Sequence, residues 1–231
     1  MTITGVSQKI RDYMAEMGQE PFPPGKTYFD VFWSKFTRED MRELIEKWAH
    51  YCTVLQKDWF GCQNGRLLDF GCGLGIKSVL FAKVGYEVLA MDCADSGFNN
   101  LLNWFGPFDG CTFLKQKKPL HRVELSGSFD IIFIEGFFWD LPEVIKFSNP
   151  FSQEESRLFF YDLTGLLSSG GRVVITFDAL ELGNPEYKMK AEKIMTGFLC
   201  DCAPELSVRM SEFIYRGTPR FIVQMEKQLA V

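Results

Sequence analysis

The chain has 231 residues, 46% hydrophobic and 24% charged, a composition that suits one globular domain. It holds no run of 18 apolar residues, so no membrane-spanning helix is expected, and residues 1–20 lack the apolar stretch of a signal peptide. A net charge of −5 with no long basic run argues against a nucleic-acid partner; the densest positive patch, Lys115, Lys117 and Lys118, reads as a solvated loop. From the N-terminus, Val6, Ile10, Tyr13, Met14 and Met17 share one face of a short predicted helix, which Pro21, Pro23, Pro24 and Gly25 end. A strongly aromatic stretch follows, with Tyr28, Phe29, Phe32 and Trp33, which packing against a sheet would explain. Thr37 and Asp40 form a variant capping box, and Met41, Leu44, Ile45, Trp48, Cys52 and Leu55 then give helical spacing to about Trp59. His50 falls off that stripe and is expected at the surface.

Residues 66–92 are the most informative. Leu67, Leu68 and Phe70 form a short apolar run of the kind buried on both faces of a parallel sheet. Gly71, Gly73 and Gly75 clear side chains from a sharp turn and let a ligand approach the backbone. Ile76, Val79, Leu80 and Ala82 continue at helical spacing, and Gly85 stops the helix. Val88 and Ala90 mark a second strand that ends at Asp92, 17 residues after Gly75. A carboxylate at that place can accept hydrogen bonds from the two hydroxyls of a ribose. The pattern predicts a nucleoside-containing cofactor on a doubly wound α/β sheet.

Further on, a helix is expected over Gly97 to Trp104 and a third strand over Cys111 to Leu114. A fourth strand is expected within residues 127–136, ending at Glu135, and a helix from about Ser152 carries Leu163, Leu166 and Leu167. A turn at Ser168–Gly171 precedes a fifth strand ending near Phe177. Another helix is expected over Lys188 to Leu199. Val208 to Tyr215 and Phe221 to Glu226, joined through Gly217, Thr218 and Pro219, read as a closing antiparallel pair. The seven cysteines are scattered and histidines number two, so zinc spacing is absent and the thiols are expected to be free in a cytoplasmic protein, with no metal.

The glycine spacing narrows the cofactor. A dinucleotide fingerprint needs glycine at the sixth place from Gly71, which Ile76 holds. The arrangement Asp69-x-Gly71-x-Gly73-x-Gly75 instead resembles motif I of the class I S-adenosylmethionine-dependent methyltransferases, and Asp92 matches the acid that follows it. Residues 127–136 are similar to the family's fourth-strand motif, and residues 168–177 to its fifth strand. The resemblance implies S-adenosylmethionine as cofactor and a mostly parallel seven-stranded sheet with an antiparallel last strand. It divides the chain into an N-terminal helical cap, residues 1–60, and a cofactor-binding domain, residues 61–231. Asp69, Gly71, Cys72, Gly73, Gly75, Asp92, Cys93 and Glu135 are the implied cofactor residues. The family often reads adenine with an acid beyond the third strand; here Gln116 stands between lysines and would use its amide oxygen.

On the acceptor side the low basic content argues against a nucleic acid and for a small-molecule methyl acceptor, with N- and O-methylation both open. Glu135 or Asp140 would orient an amine or take a proton. Phe137, Phe138, Trp139 and Asp178 would line the cleft, with Tyr28, Phe29, Phe32 and Trp33 closing over it as a lid. Asp140 as a helix cap and the phenylalanines as core are the competing readings. The asparagine-proline-proline-aromatic motif of base-modifying relatives is absent after Glu135. A protein acceptor, a non-catalytic cofactor-binding partner subunit and a nicotinamide-dependent oxidoreductase remain as alternatives. The chain is expected to be a monomer or homodimer without nucleic-acid or membrane partners.

Overall fold

A computed structural model describes residues 37–92, 96–115, 123, 125–135, 153–178, 206–215 and 218–227. The expected N-terminal helix, the aromatic lid stretch and the helix over residues 188–199 lie outside the described residues. Helix α1, Arg38–Leu55, opens as its sequence demands. Thr37 Oγ1 accepts from Asp40 N at 3.1 Å, and Asp40 Oδ2 accepts from Thr37 N at 2.8 Å, a complete capping box. The expected continuation to Trp59 changes character: Gln56–Phe60 is a single π turn ending on Gly61 at φ 71°. The wider turn delays the helical phase, and the adjacent Trp59 and Phe60 are both buried.

The remaining elements are β1 (Gly65–Phe70), α2 (Ile76–Lys83), β2 (Tyr86–Asp92), α3 (Ser96–Phe105), β3 (Cys111–Lys115), β4 (Phe129–Glu135), α4 (Gln153–Gly165), β5 (Leu167–Asp178), β6 (Leu206–Tyr215) and β7 (Thr218–Lys227). They build a seven-stranded sheet in the order β3-β2-β1-β4-β5-β7-β6. All neighbours are parallel except at β7, which runs antiparallel to β5 and β6. Strand order reverses between β1 and β4. This is the switch point where open α/β sheets form a ligand crevice outside the carboxyl ends of their strands.

Two expected boundaries move. Leu166 and Leu167 do not belong to α4, which ends at Gly165; Leu167 instead pairs with Phe129 and opens β5. The register then jumps so that Ile131 pairs with Arg172, and the expected turn residues 168–171 become a bulge within the strand. A Cβ on Gly171 would stand 2.9 Å from the carbonyl oxygens of Phe129 and Ser168, so only glycine fits that approach. The link between β6 and β7 is shorter than expected, because Tyr215 pairs with Thr218 and Ile214 with Pro219. Pro219 lies beyond Arg220, the last residue paired with β5, so its missing N–H interrupts no ladder there.

The sheet is buried on both faces, and side chains alternate between them. Leu67, Val88, Ile131, Phe133, Val174 and Ile222 pack with Met41, Tyr51, Leu55, Phe60, Leu80 and Phe81 of α1, the π turn and α2. Leu68, Phe70, Ile132, Ile134, Val173, Ile175 and Val223 pack with Phe159, Phe160 and Leu163 of α4. Residues 38–60, assigned to the N-terminal cap from sequence, thus form part of the helical layer over the sheet. Among the described residues no helix is long and apolar enough to cross a membrane.

Candidate functional site

The chain leaves β1 through three residues in left-handed backbone: Gly71 at φ 73°, Gly73 at φ 56° and Gly75 at φ 76°. Side chains other than glycine rarely adopt this conformation. The loop is fastened to the end of β2. Met91 O accepts from Gly71 N at 2.8 Å and from Cys72 N at 3.0 Å, and Gly75 N donates to Cys72 O at 2.9 Å. Gly73 N donates to Asp92 Oδ2 at 2.9 Å, so the loop and the acid that follows it form one unit. At Gly75 a Cβ would also lie 2.5 Å from the ring of Phe98 on α3.

Asp69 points beneath this loop, not into it. Its carboxylate is 3% exposed and accepts from Ser78 Oγ on α2 at 2.5 Å. Burial pushes its pKa up to about 7, against the lowering effects of the Ser78 bond and the Lys77 charge. Burial also raises the Cys72 thiol well above its ordinary value, with the Asp69 and Asp92 charges adding to the shift. This cysteine is therefore a thiol and not a thiolate at neutral pH.

Across the switch point, Glu135 ends β4 on the face covered by α1 and α2. Arg220 Nη1 of β7 donates to its Oε1 at 3.0 Å, and Lys77 of α2 pairs with its Oε2. Both cations rest on aromatic faces of α1: Lys77 Nζ lies 4.2 Å from the Trp48 ring centroid, and Arg220 Cζ lies 5.1 Å from Trp48 and 4.8 Å from Tyr51. Burial, and then the Glu135 charge, raise the Tyr51 hydroxyl well above its ordinary value, so it is neutral. Ladder pairing places Glu135 beside Thr176, and Arg220 beside Asp178 at the end of β5.

The structure therefore gathers Gly71, Cys72, Gly73, Gly75, Asp92 and Glu135 around the carboxyl ends of β1, β2 and β4, with Asp69 sealed below and Asp178 at the end of β5. Cys93, Gln116, Phe137, Phe138, Trp139, Asp140, Tyr28, Phe29, Phe32 and Trp33 lie outside the described residues. Sequence reasoning missed Lys77, Arg220, Tyr51 and Ser78. Arg220 carried a signal, since with Gln224 it interrupts the apolar run of a strand buried on both faces. Lys77 carried a subtler one: a cation in the first turn of a helix opposes the helix dipole. Among the described residues no group of histidine, cysteine and acidic side chains is placed to hold a metal ion.

No protein-family profile matches the chain, and no curated protein is detectably similar to it in sequence. Solved structures do match. An O-methyltransferase family protein from Burkholderia thailandensis aligns over 99% of this chain and 72% of its own, with a TM-score of 0.62 and 12% identity. A SAM-dependent methyltransferase from Methanosarcina mazei aligns over 74% of this chain and 96% of its own, with a TM-score of 0.55 and 15% identity. Magnesium protoporphyrin IX methyltransferase from Synechocystis PCC 6803, with bound SAH, aligns over 81% and 84%, with a TM-score of 0.53 and 16% identity. The chain has the class I S-adenosylmethionine-dependent methyltransferase fold.

Proposed function

We propose that the protein transfers a methyl group from S-adenosylmethionine to a small molecule. The observation that carries this reading is the fastened loop at the switch point, with three left-handed glycines and Gly73 N bonded to Asp92 Oδ2. The loop's glycines carry no side chain to keep the amino-acid end of such a cofactor from the backbone, and position 76 holds Ile and not the glycine of a dinucleotide site. Asp92 is the acceptor for ribose hydroxyls. A carboxylate has about four acceptor positions, so the bond that orients it does not exhaust it.

When bound, the cofactor supplies a methyl group already activated by a positive sulfur. The protein's work is then alignment and exclusion of water. Glu135 has both oxygens engaged by cations, which favours an anchoring role over the proton-accepting role expected from sequence. Asp140 is left as the acid to orient an acceptor or take its proton. Phe137, Phe138, Trp139 and Asp178, with Tyr28, Phe29, Phe32 and Trp33, are proposed to shape the acceptor pocket.

Calorimetric titration with S-adenosylhomocysteine and with NAD tests the cofactor assignment. Binding of the first alone is expected, and a Gly73→Val variant should keep its circular dichroism and lose that binding. Binding of NAD instead, or an unaffected variant, would overturn it. Intact-mass screening of candidate acceptors with S-adenosylmethionine then tests transfer itself, since a partner subunit without catalysis would bind cofactor and methylate nothing.

A further inference from the structure

The start of α2 lacks the devices that normally hold a helix N-terminus. Its N-cap residue is Gly75, which has no side chain to accept a bond, and the first turn holds no acid. The first turn holds Lys77 instead, whose charge opposes the helix dipole. The backbone N–H groups there have no side-chain cap, and local sequence does not fix the turn that presents them. The three glycines before it add freedom that binding must remove.

Long-range ties replace the missing cap. Ser78 bonds Asp69 below the loop, and Lys77 reaches across the switch point to Glu135, whose other oxygen is held by Arg220. The Lys77 and Glu135 side chains are 22% and 16% exposed, sheltered enough for their attraction to escape most solvent screening. Trp48 lies against both cations, so Lys77 is steered from α1 as well as from β4.

We propose that Lys77 is a positioning residue for cofactor binding: through its ion pair with Glu135 it fixes the first turn of α2, and with it the glycine loop, against the end of β4. This inference rests on the methyl-transfer reading above. It assigns to Glu135 a duty on the cofactor side that is exerted through Lys77 and not by contact with the acceptor.

A double-mutant cycle on the full chain tests it, with S-adenosylhomocysteine affinity measured by calorimetry and stability by urea unfolding. Lys77→Met and Glu135→Gln should each weaken binding by about tenfold. The double variant should be no weaker than either single one, because both remove the same tie. Lys77→Arg should restore binding to within about twofold of wild type, which keeps the proposal falsifiable if Glu135→Gln fails to fold. Unchanged affinity in Lys77→Met with lowered stability would overturn the proposal and leave a purely structural ion pair. Additive losses, or normal binding by Glu135→Gln, would overturn it too, because Lys77 would then act on the ligand without Glu135. No binding by the wild type would instead sink the cofactor reading itself.

Discussion

The two faces of the sheet are built by different rules. Under α4 the buried strand residues are all apolar: Leu68, Phe70, Ile132, Ile134, Val173, Ile175, Val223 and Met225. Under α1 and α2, strands β1, β2 and β4 begin apolar, with Leu67, Val88, Ile131 and Phe133, and turn polar toward their carboxyl ends. There stand Asp92, Asp69 and Glu135, beside Thr176 of β5 and Arg220 at the amino end of the antiparallel β7. Among the described residues, the buried polar side chains of the sheet, Asp69, Thr176, Arg220 and Gln224, all belong to this face. Burying a polar group costs more than burying an apolar one unless it is matched. The buried polarity of the sheet is thus confined to one face, and the part of it beside the switch point marks where stability gives way to ligand chemistry.

This contrast can be broken from either side. The largest effect is expected on the apolar face, where Phe160→Ala removes a fully buried ring. Unfolding in urea should show a loss of about 3–5 kcal/mol, with S-adenosylhomocysteine affinity per folded molecule unchanged. A parallel fall in affinity would mean that the faces are not separate in function.

On the polar face the signs reverse. Asp92→Ala should cost little stability and weaken cofactor binding by roughly ten- to a hundredfold, the loss of charge-assisted bonds of about 1.5–3 kcal/mol. Titration of the folded variant decides it, and wild-type affinity would remove Asp92 from the ribose site.

Asp69 sharpens the comparison through pH. Its folded pKa of about 7 lies above the ordinary carboxylate value, so the folded state holds a proton that the unfolded chain has released. Stability from this group therefore falls as pH rises from about 4 toward 7, and the cost persists above that window. Asp69→Asn keeps an acceptor for Ser78 without the charge. It should match wild type near pH 4 and exceed it by about 2 kcal/mol at pH 8. Thermal unfolding across that range would show the difference, and one that does not change with pH would contradict the assignment. The smallest effect is expected at Thr37→Ala, which removes the capping box of α1 and should cost about 1 kcal/mol with no change in affinity.

Much of this arrangement was legible in the residues. The capping box at Thr37 and Asp40, the apolar run Leu67–Phe70, the three glycines and Asp92 are local patterns, each set by contacts within a few residues. The misread boundaries have another origin. Leu167 has the spacing of a helix residue, yet pairing with Phe129 draws it into β5, and the bulge at residues 168–171 exists because two strands meet out of register there. Neither event leaves a trace in local propensity.

The sequence by itself determined the order of elements and the cofactor loop, because helix spacing, strand alternation and glycine turns are written at separations of two to four residues. Only the tertiary structure decided the charges around that loop. Lys77, Glu135 and Arg220 come from α2, β4 and β7, and residues 85 positions apart meet only once β7 has been inserted beside β5. It also decided that Asp69, part of the glycine motif, is sealed beneath the loop as a partner for Ser78. Sequence spacing places a carboxylate on a strand, but burial and the charges brought near it set what that carboxylate does.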